Sequence, residues 1–432
     1  MLAILFATTA YASAPVLLNI FLITPAVLLY LTQPPQRSQQ KAKPPRKAVG
    51  KDDRSQDEGE SLPVHPFLTT YRAAMMVVTC VAILAVDFRV FPRRFAKVEN
   101  WGTSLMDLGV GSFVFSAGVV SARAILKSRA QSKKTPFLGR LMSSLRHSIP
   151  LLVLGLIRLW TVKGLDYAEH VTEYGVHWNF FFTLGFLPPF VEIFDSLTAL
   201  IPSYEALAVI IAIIYQVALE STELKSYILI SPRGPDLLSK NREGVFSFLG
   251  YLAIFLAGRG VGTRIIPKGT SATKTPQQSR KSVLVSLALQ VMFWSTMFYF
   301  NSFYAFGYGA NILVSRRLAN MPYVLWIAAF NCAQILLFCL AETLFFPSVH
   351  RATSKEGEEE RNAFATSRIL HAFNRGGLAI FLVANLLTGA VNLSIPTLDV
   401  NTPQAMAILV VYAAILTGLA LVMDKFNFKL RL

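Results

Sequence analysis

The sequence predicts an all-α protein, a polytopic bundle of transmembrane helices, on three observations. Hydrophobic residues fill 53% of the 432 positions and charged residues only 15%, against ~25% charged in soluble globular chains. Mean hydropathy is +0.47. Apolar stretches of roughly 17–25 residues, the length that crosses a bilayer as a helix, recur from one end of the chain to the other. Together these exclude a secreted enzyme, a DNA-binding domain and a disordered scaffold. The first apolar run, Leu2 to Leu31, has no basic n-region and exceeds the roughly 7–15 residues of a signal-peptide core, so it is read as membrane structure. Cys80, Cys332 and Cys339 sit inside apolar runs with no CxxC or Cys/His spacing, so neither disulfides nor a metal site is expected.

Apolar runs bounded by polar clusters place eleven complete spans at 15–32, 68–90, 102–126, 149–163, 177–200, 203–219, 243–262, 282–305, 322–346, 376–396 and 403–423, with residues 1–12 as part of another. The chain divides into an N-terminal membrane segment (1–32), a Pro/Lys/Gln-rich basic linker (33–64) and a multi-span membrane domain (65–432). The mixed-charge segment 354–368 is a second linker. Basic tracts collect at 33–54, 127–148, 263–282 and the C-terminal KFNFKLRL, always an even number of spans apart. Because Lys and Arg in short loops stay cytoplasmic, one parity puts all of them and the C-terminus on the cytoplasmic side. The net charge of +16 is then mostly a topology signal, and no nucleic-acid partner is needed.

The polar segments of the opposite face are 86–102, 163–180, 231–244, 314–322 and 394–403. They hold Arg93, Arg94, Lys97, Arg233, Lys240, Arg242, Arg316 and Arg317, against the charge rule for that side. Any one of them can be a span end or ion-pair partner, but three such clusters converging on one face are better explained by an anionic group, such as a phosphate, bound there. Ionisable residues in or at the ends of the apolar runs are costly unless they face a cavity or a partner. They are Asp87, Asp107, Arg72, Arg123 and Arg158. Asp107 has two readings, a pair with an Arg of a neighbouring helix or a functional group. Asp87 and Lys97 flank a Pro-bearing bend at one membrane boundary, where a carboxylate and an amine can anchor a polar substrate and move its proton. His177 heads the aromatic start VHWNFFF of a span, as belt residue or as functional group. The small-residue run GVGSFVFSAGVVSARA (109–124) either packs helices closely or leaves room for a linear chain. There is no GxSxG elbow, P-loop, HExxH or aspartate-rich Mg²⁺ motif.

Five segments are long enough to carry a family resemblance: AILAVDFRVFPRRFAKVENWGTSLMDLGVGSFVFSAG (82–118), HVTEYGVHWNFFFTLGFLP (170–188), NREGVFSFLGYLAIFLAG (241–258), SRRLANMPYVLW (315–326) and LLTGAVNLSIPT (386–397). In this order they resemble the inositol acyltransferases of GPI-anchor biosynthesis, the glucosaminyl-phosphatidylinositol acyltransferase family of the endoplasmic-reticulum membrane, and in particular its fungal members. The resemblance implies a thirteen-span fold with a luminal N-terminus, one span more than this chain's start supplies, so the chain is expected to be truncated there. It also implies transfer of a fatty acyl group, usually palmitoyl, from acyl-CoA to an inositol hydroxyl of glucosaminyl-phosphatidylinositol. Acyl-CoA is then a co-substrate, no cofactor or metal is required, and both lipids and the bilayer are partners. The Asp and Lys flanking FPRRFA are the family's functional pair, here Asp87 and Lys97. Lys97, beside Arg93 and Arg94, is expected either to accept the inositol proton as a neutral amine or to polarise the thioester as an ammonium, and Asp87 to anchor the substrate or act as general base. Arg93, Arg94, His177, Trp178, Asn179, Asp107, Val110, Gly111 and Phe113 are the candidate substrate-binding residues. The acyl chain is expected among 102–126, 149–163, 177–200 and 376–396. The alternatives are a His-dependent membrane-bound O-acyltransferase, resting on His170 or His177, and a lipid flippase or transporter, which needs charged or helix-breaking residues at mid-membrane depth.

Overall fold

The structure is a computed structural model that describes residues 1–32, 64–130, 136–163, 171–267, 276–304, 308–347, 349 and 355–428. The linker 33–64 lies, but for Val64, outside the described residues, as do 131–135 and 268–275 of the basic tracts, and His170. The described chain is helical: α1 (Leu2–Thr8), α2 (Pro15–Thr32), α3 (Pro66–Ala85), α4 (Leu105–Ala130), α5 (Phe137–Lys163), α6 (Val171–Tyr174), α7 (Phe180–Leu197), α8 (Tyr204–Ser221), α9 (Leu224–Leu229), α10 (Leu237–Lys240), α11 (Arg242–Ile265), α12 (Pro276–Ser302), α13 (Met321–Phe345), α14 (Lys355–Ala365), α15 (Arg368–Arg375), α16 (Gly377–Ser394) and α17 (Thr402–Lys425). Each of the eleven expected spans has its helix. Among the described residues nine, namely α3, α4, α7, α8, α11, α12, α13, α16 and α17, are long and apolar enough to cross a membrane, so the chain is a multi-pass membrane protein.

Four expectations shift. The apolar part of α2 is short, Pro15–Leu29, and α5 begins at Phe137 instead of at 149, so Arg140, Arg146 and His147 are helical and not part of a loop. Residues 1–12 contribute only the short α1, and 355–365 of the expected mixed-charge linker form α14. Helix starts follow local chemistry. Asn179, Asn320 and Asn401 cap α7, α13 and α17 by accepting from the backbone N–H of Phe181, Tyr323 and Gln404, as Asn side chains do where the first turn leaves its N–H groups unpaired.

Two apolar cores organise the bundle. The larger is built on α11, whose span is 83% buried, packed against α4, α8 and α13. The smaller joins the far side of α3 to α1, α15, α16 and α17, and Tyr412 on α17 donates to the carbonyl of Cys80 on α3 at 2.8 Å. Contact between α4 and α11 depends on small residues, since lipid supplies no hydrophobic drive between helices and close backbone approach must do so. A Cβ on Gly118 would collide with the Phe255 carbonyl and one on Gly258 with the Phe115 carbonyl. The run 109–124 therefore packs helices at Gly118. At Gly111, too, a Cβ would lie 2.6 Å from Ile327. Only Gly109 is open, its nearest neighbour the Thr79 hydroxyl at 4.0 Å.

Overpacking a tight core costs ~1–3 kcal/mol and sometimes more. Gly118→Leu should therefore lower the thermal midpoint of the purified protein by several degrees or prevent its accumulation, whereas Gly109→Leu should melt within about a degree of the parent; scanning fluorimetry of both in one detergent checks the contrast.

Candidate functional site

The segments that join the helices at one end of the bundle are tied to one another by polar contacts. After α3 the chain turns through Phe88 and Phe91, both fully buried, so the bend is pinned to the smaller core. Pro92 follows, then a single 3-10 turn, Arg93–Phe95. The bend presents Asp87 and Lys97. Asp87 accepts from the Asn392 side chain of α16 at 2.9 Å. Burial raises its pKa, while the Asn392 hydrogen bond and the charge of Arg93 oppose the shift. Arg93 donates to the Val86 carbonyl at 3.0 Å, and Arg94 to the Ala12 carbonyl at 2.7 Å while lying over the Phe95 ring. Both guanidiniums hold the bend.

Lys97 donates to both carboxylate oxygens of Glu173, at 2.9 and 3.1 Å. Glu173 also accepts from Arg316 at 2.8 Å, Arg316 reaches Asp107 at 2.7 Å, and Asp107 accepts from Ser104 and from the backbone N–H of Val98, next to Lys97. Two cations and two carboxylates thus alternate in a chain that begins and ends on the same loop. Burial alone would raise the Glu173 pKa, but Arg316 and Lys97 outweigh it and hold the group down at about 2. Asp107 is fully buried and Arg316 nearly so. Of its two readings, the pair with a neighbour's Arg is the one observed. A second hub is Glu243, fully buried, with Arg233 at 2.6 Å, Arg317 at 3.2 Å and Arg242 at 3.8 Å. Arg233, Arg242, Arg316 and Arg317 are therefore held by internal carboxylates, which corrects the expectation that an anionic ligand keeps them on this face.

The segment 175–179 is folded onto the same framework. Gly175 has φ +111°, and a Cβ there would meet the Asn241 backbone at 2.6 Å; a left-handed residue this close to a neighbouring chain must be glycine. Asn241 accepts from the backbone N–H of His177 and of Trp178 at 2.7 and 2.9 Å. The Trp178 indole donates to Thr183 and stacks on Phe186, and the Asn179 amide donates to the Gly155 carbonyl of α5 at 3.0 Å.

Beneath these residues lies a cavity of about 570 Å³, within the range of small-molecule and cofactor sites, ~300–1,000 Å³. Its mouth carries Lys97, Glu173, His177, Trp178 and Asn179, and its walls are apolar faces of α3, α4, α5, α7, α13 and α16. Four of these elements are the ones the sequence assigns to a linear chain. The walls reach Gln334 on α13, which at ~1.5 Å per residue from Met321 is ~20 Å deep, more than half of a ~30 Å hydrocarbon core. Of the sequence-derived candidates, Lys97, His177, Trp178, Asn179, Val110 and Phe113 line the cavity. Asp87, Arg93, Arg94, Asp107 and Gly111 do not; Gly111 faces Ile327 and the Tyr323 hydroxyl instead.

The GWT1 family profile matches residues 1–423. The chain belongs to the GWT1 family. Proteins named GPI-anchored wall transfer protein 1 are similar along its whole length: 71% identity in Aspergillus oryzae, covering 100% of this chain and 87% of the relative, 70% in Aspergillus fumigatus over 99% and 86%, and 40% in Candida albicans over 100% and 88%. This agrees with the family resemblance carried by residues 82–118 and the four later segments. Sequence reasoning passes over the residue that organises the site of this GWT1-family chain, Glu173. Its signal was its place in the segment 170–188, four positions before His177.

Glu173 ionises below its ordinary value of 4.5, so its contribution to stability is fully present above that pH and is lost as the pH falls toward about 2. Breaking a buried pair costs ~3–5 kcal/mol, and less where one end is open to solvent, as Lys97 is. Glu173→Gln should thus cost about 1–3 kcal/mol, equally at pH 6 and pH 8, with the difference shrinking only below pH 4.5; thermal unfolding across this series measures it.

Proposed function

We propose that the chain is an acyl-CoA-dependent inositol acyltransferase of GPI-anchor biosynthesis, acting in the endoplasmic-reticulum membrane with its site end luminal and its C-terminus cytoplasmic. The observation that carries this reading is an amine, Lys97, held by a carboxylate at the mouth of a deep apolar cavity. Such a site suits a substrate with a polar reacting end and a long hydrocarbon tail. The family and the names of its relatives support a role in GPI-anchor biosynthesis, and the resemblance names the acceptor as glucosaminyl-phosphatidylinositol, with palmitoyl-CoA as donor.

In this reading the acyl chain enters the cavity between α4, α5, α7 and α16 and brings its thioester to Lys97. The inositol oxygen bonds to the thioester carbon, the carbon–sulfur bond breaks, CoA leaves as the thiolate, and the hydroxyl proton passes to a base. Positioning supplies much of the acceleration, up to ~7–11 kcal/mol in favourable cases. Glu173 holds Lys97 in place and stays ionised at neutral pH, so the ion-paired ammonium favours the polarising role over that of proton acceptor. Asp87 then anchors the glucosamine ammonium or the inositol hydroxyls. Its burial-raised pKa also favours a second role, as the general base. His177 lines the mouth, which keeps the His-dependent mechanism as the competitor.

Lys97→Ala should lower kcat at least ~10²–10³-fold, the worth of a group that stabilises developing negative charge, without unfolding the protein. Asp87→Asn separates the two roles: an anchor raises KM for the glucosaminyl lipid, and a base lowers kcat by ~10²–10⁴. Near-normal turnover of Lys97→Ala, with loss in His177→Ala, transfers the chemistry to His177. All three are read with purified protein, labelled acyl-CoA and glucosaminyl-phosphatidylinositol.

The chain-length test belongs at Gly109, which lines the cavity. A leucine there displaces about three methylenes at ~0.8 kcal/mol each, so kcat/KM for a palmitoyl donor should fall roughly 50-fold relative to a short-chain donor. Equal loss at all lengths, or none, refutes an acyl chain in this cavity.

A further inference from the structure

Among the described residues lining the cavity, the formally charged side chains are Lys97, Glu173 and Arg158. Glu173 is fully used, since its carboxylate takes Lys97 and Arg316. Arg158 is different: among the described residues it has neither an ion-pair nor a side-chain hydrogen-bond partner, whereas Arg93, Arg94, Arg233, Arg242, Arg316 and Arg317 at the same end are all engaged. Among the described residues, the cavity wall therefore carries one positive charge with no counter-charge.

The location of Arg158 is not that of a lipid-facing snorkel. On α5 the outward stripe is Leu156, Ile157 and Trp160, 57, 51 and 83% exposed. The packed stripe is Leu152, Gly155 and Leu159, against Gly185, Phe182 and the cavity. With Thr161 also exposed, the outward arc at ~100° per residue ends ~60° short of Arg158, which sits between that arc and the packed stripe with its side chain lining the cavity. It precedes the helix end at Lys163 by ~7 Å of axis, level with the loop of His177 and Asn179, and the Asn179 amide anchored on Gly155 holds that loop one turn away from it. A guanidinium in an apolar-walled cavity within the membrane is costly unless an anion meets it, and its planar fork matches two phosphate oxygens.

We infer that Arg158 binds a substrate phosphate at the mouth of the cavity, the phosphodiester of an inositol phospholipid whose headgroup lies between α5 and the 177–179 loop. This rests on the acyltransfer reading for the identity of the lipid and deepens it: the luminal arginines proposed from the sequence are occupied, and this one is available. The CoA moiety of the donor also carries phosphates, and the test distinguishes the two sources.

Binding is measured first, without turnover, as the quenching of tryptophan fluorescence present in Trp160→Phe protein and absent in Trp160→Phe/Trp178→Phe protein, each titrated with phosphatidylinositol or with diacylglycerol of the same chains in neutral detergent. The expected result is a preference for phosphatidylinositol that falls about tenfold or more in Arg158→Gln and is largely restored in Arg158→Lys, a charged hydrogen bond being the interaction lost. Steady-state kinetics then assign the source: a rise in KM for glucosaminyl-phosphatidylinositol places the lipid phosphodiester at Arg158, and a rise in KM for acyl-CoA alone overturns the lipid assignment. An unchanged preference for phosphatidylinositol in Arg158→Gln overturns the inference altogether. Absence of acyl transfer by the parent protein with the binding difference intact would sink the acyltransfer reading and leave the phosphate site standing.

Discussion

The arrangement of the site end depends on one guanidinium. Arg316 is 7% exposed, and it spans two carboxylates, Asp107 on α4 and Glu173 on α6. Removing a charge from water is expensive, and the expense is offset only where geometry is good and the remaining donors and acceptors are filled. That condition is met here through several segments at once. Asp107 is filled by Ser104 and the Val98 amide, Glu173 by Lys97, and the Tyr323 hydroxyl donates to the Asp107 carbonyl from α13. A shift of any one segment would leave a buried charge uncompensated, so the loops between α3 and α4, α5 and α7, and α12 and α13 hold one relative placement. Lys97 takes its position over the cavity from that constraint.

The cavity itself follows from having two cores instead of one. α3 is shared: one face packs in the α4–α11–α13 unit and the other meets α1, α15, α16 and α17. Tight packing between α4 and α11 is secured by Gly118, Gly258 and Gly262, and it ends toward the top of α4, where Gly109, Val110 and Phe113 face open space. Across that space the Phe381 ring of α16 meets Phe113 with centroids 6.1 Å apart. The same helix carries Asn392 to Asp87. The wall of the cavity and the environment of Asp87 are thus properties of one helix, which faces outward over most of its surface.

Charge accounting separates the roles of the many basic residues on this face. Four arginines are structural, consumed by Glu243, Glu173 and Asp107, and two more fasten the bend around Pro92. Arginine suits such positions because its donors form a rigid fork that can serve two acceptors while its stem packs against apolar neighbours. What remains at the cavity and the bend beside it is smaller and more specific: an ammonium held by one carboxylate, a carboxylate that burial makes a weaker acid, and one guanidinium in the cavity wall.

By itself the sequence determined the spans, since membrane crossing depends on length and hydropathy, both local quantities. The helices fall where the apolar runs fall, and α5 departs because helix formation does not stop where charge begins. The family was legible as well, because segments such as 82–118 carry it in their order of residues. The pairings were decided only by the tertiary structure. Lys97 and Glu173 lie 76 positions apart and Asp107 and Arg316 lie 209 apart, and no spacing rule connects residues of segments so far apart in the chain. Gly109 and Gly111 look alike in sequence, but one opens on a cavity and the other on Ile327. Which face of a helix meets a neighbour is set by the packing of all the others, and that is where packing glycines, structural arginines and cavity-lining groups part company.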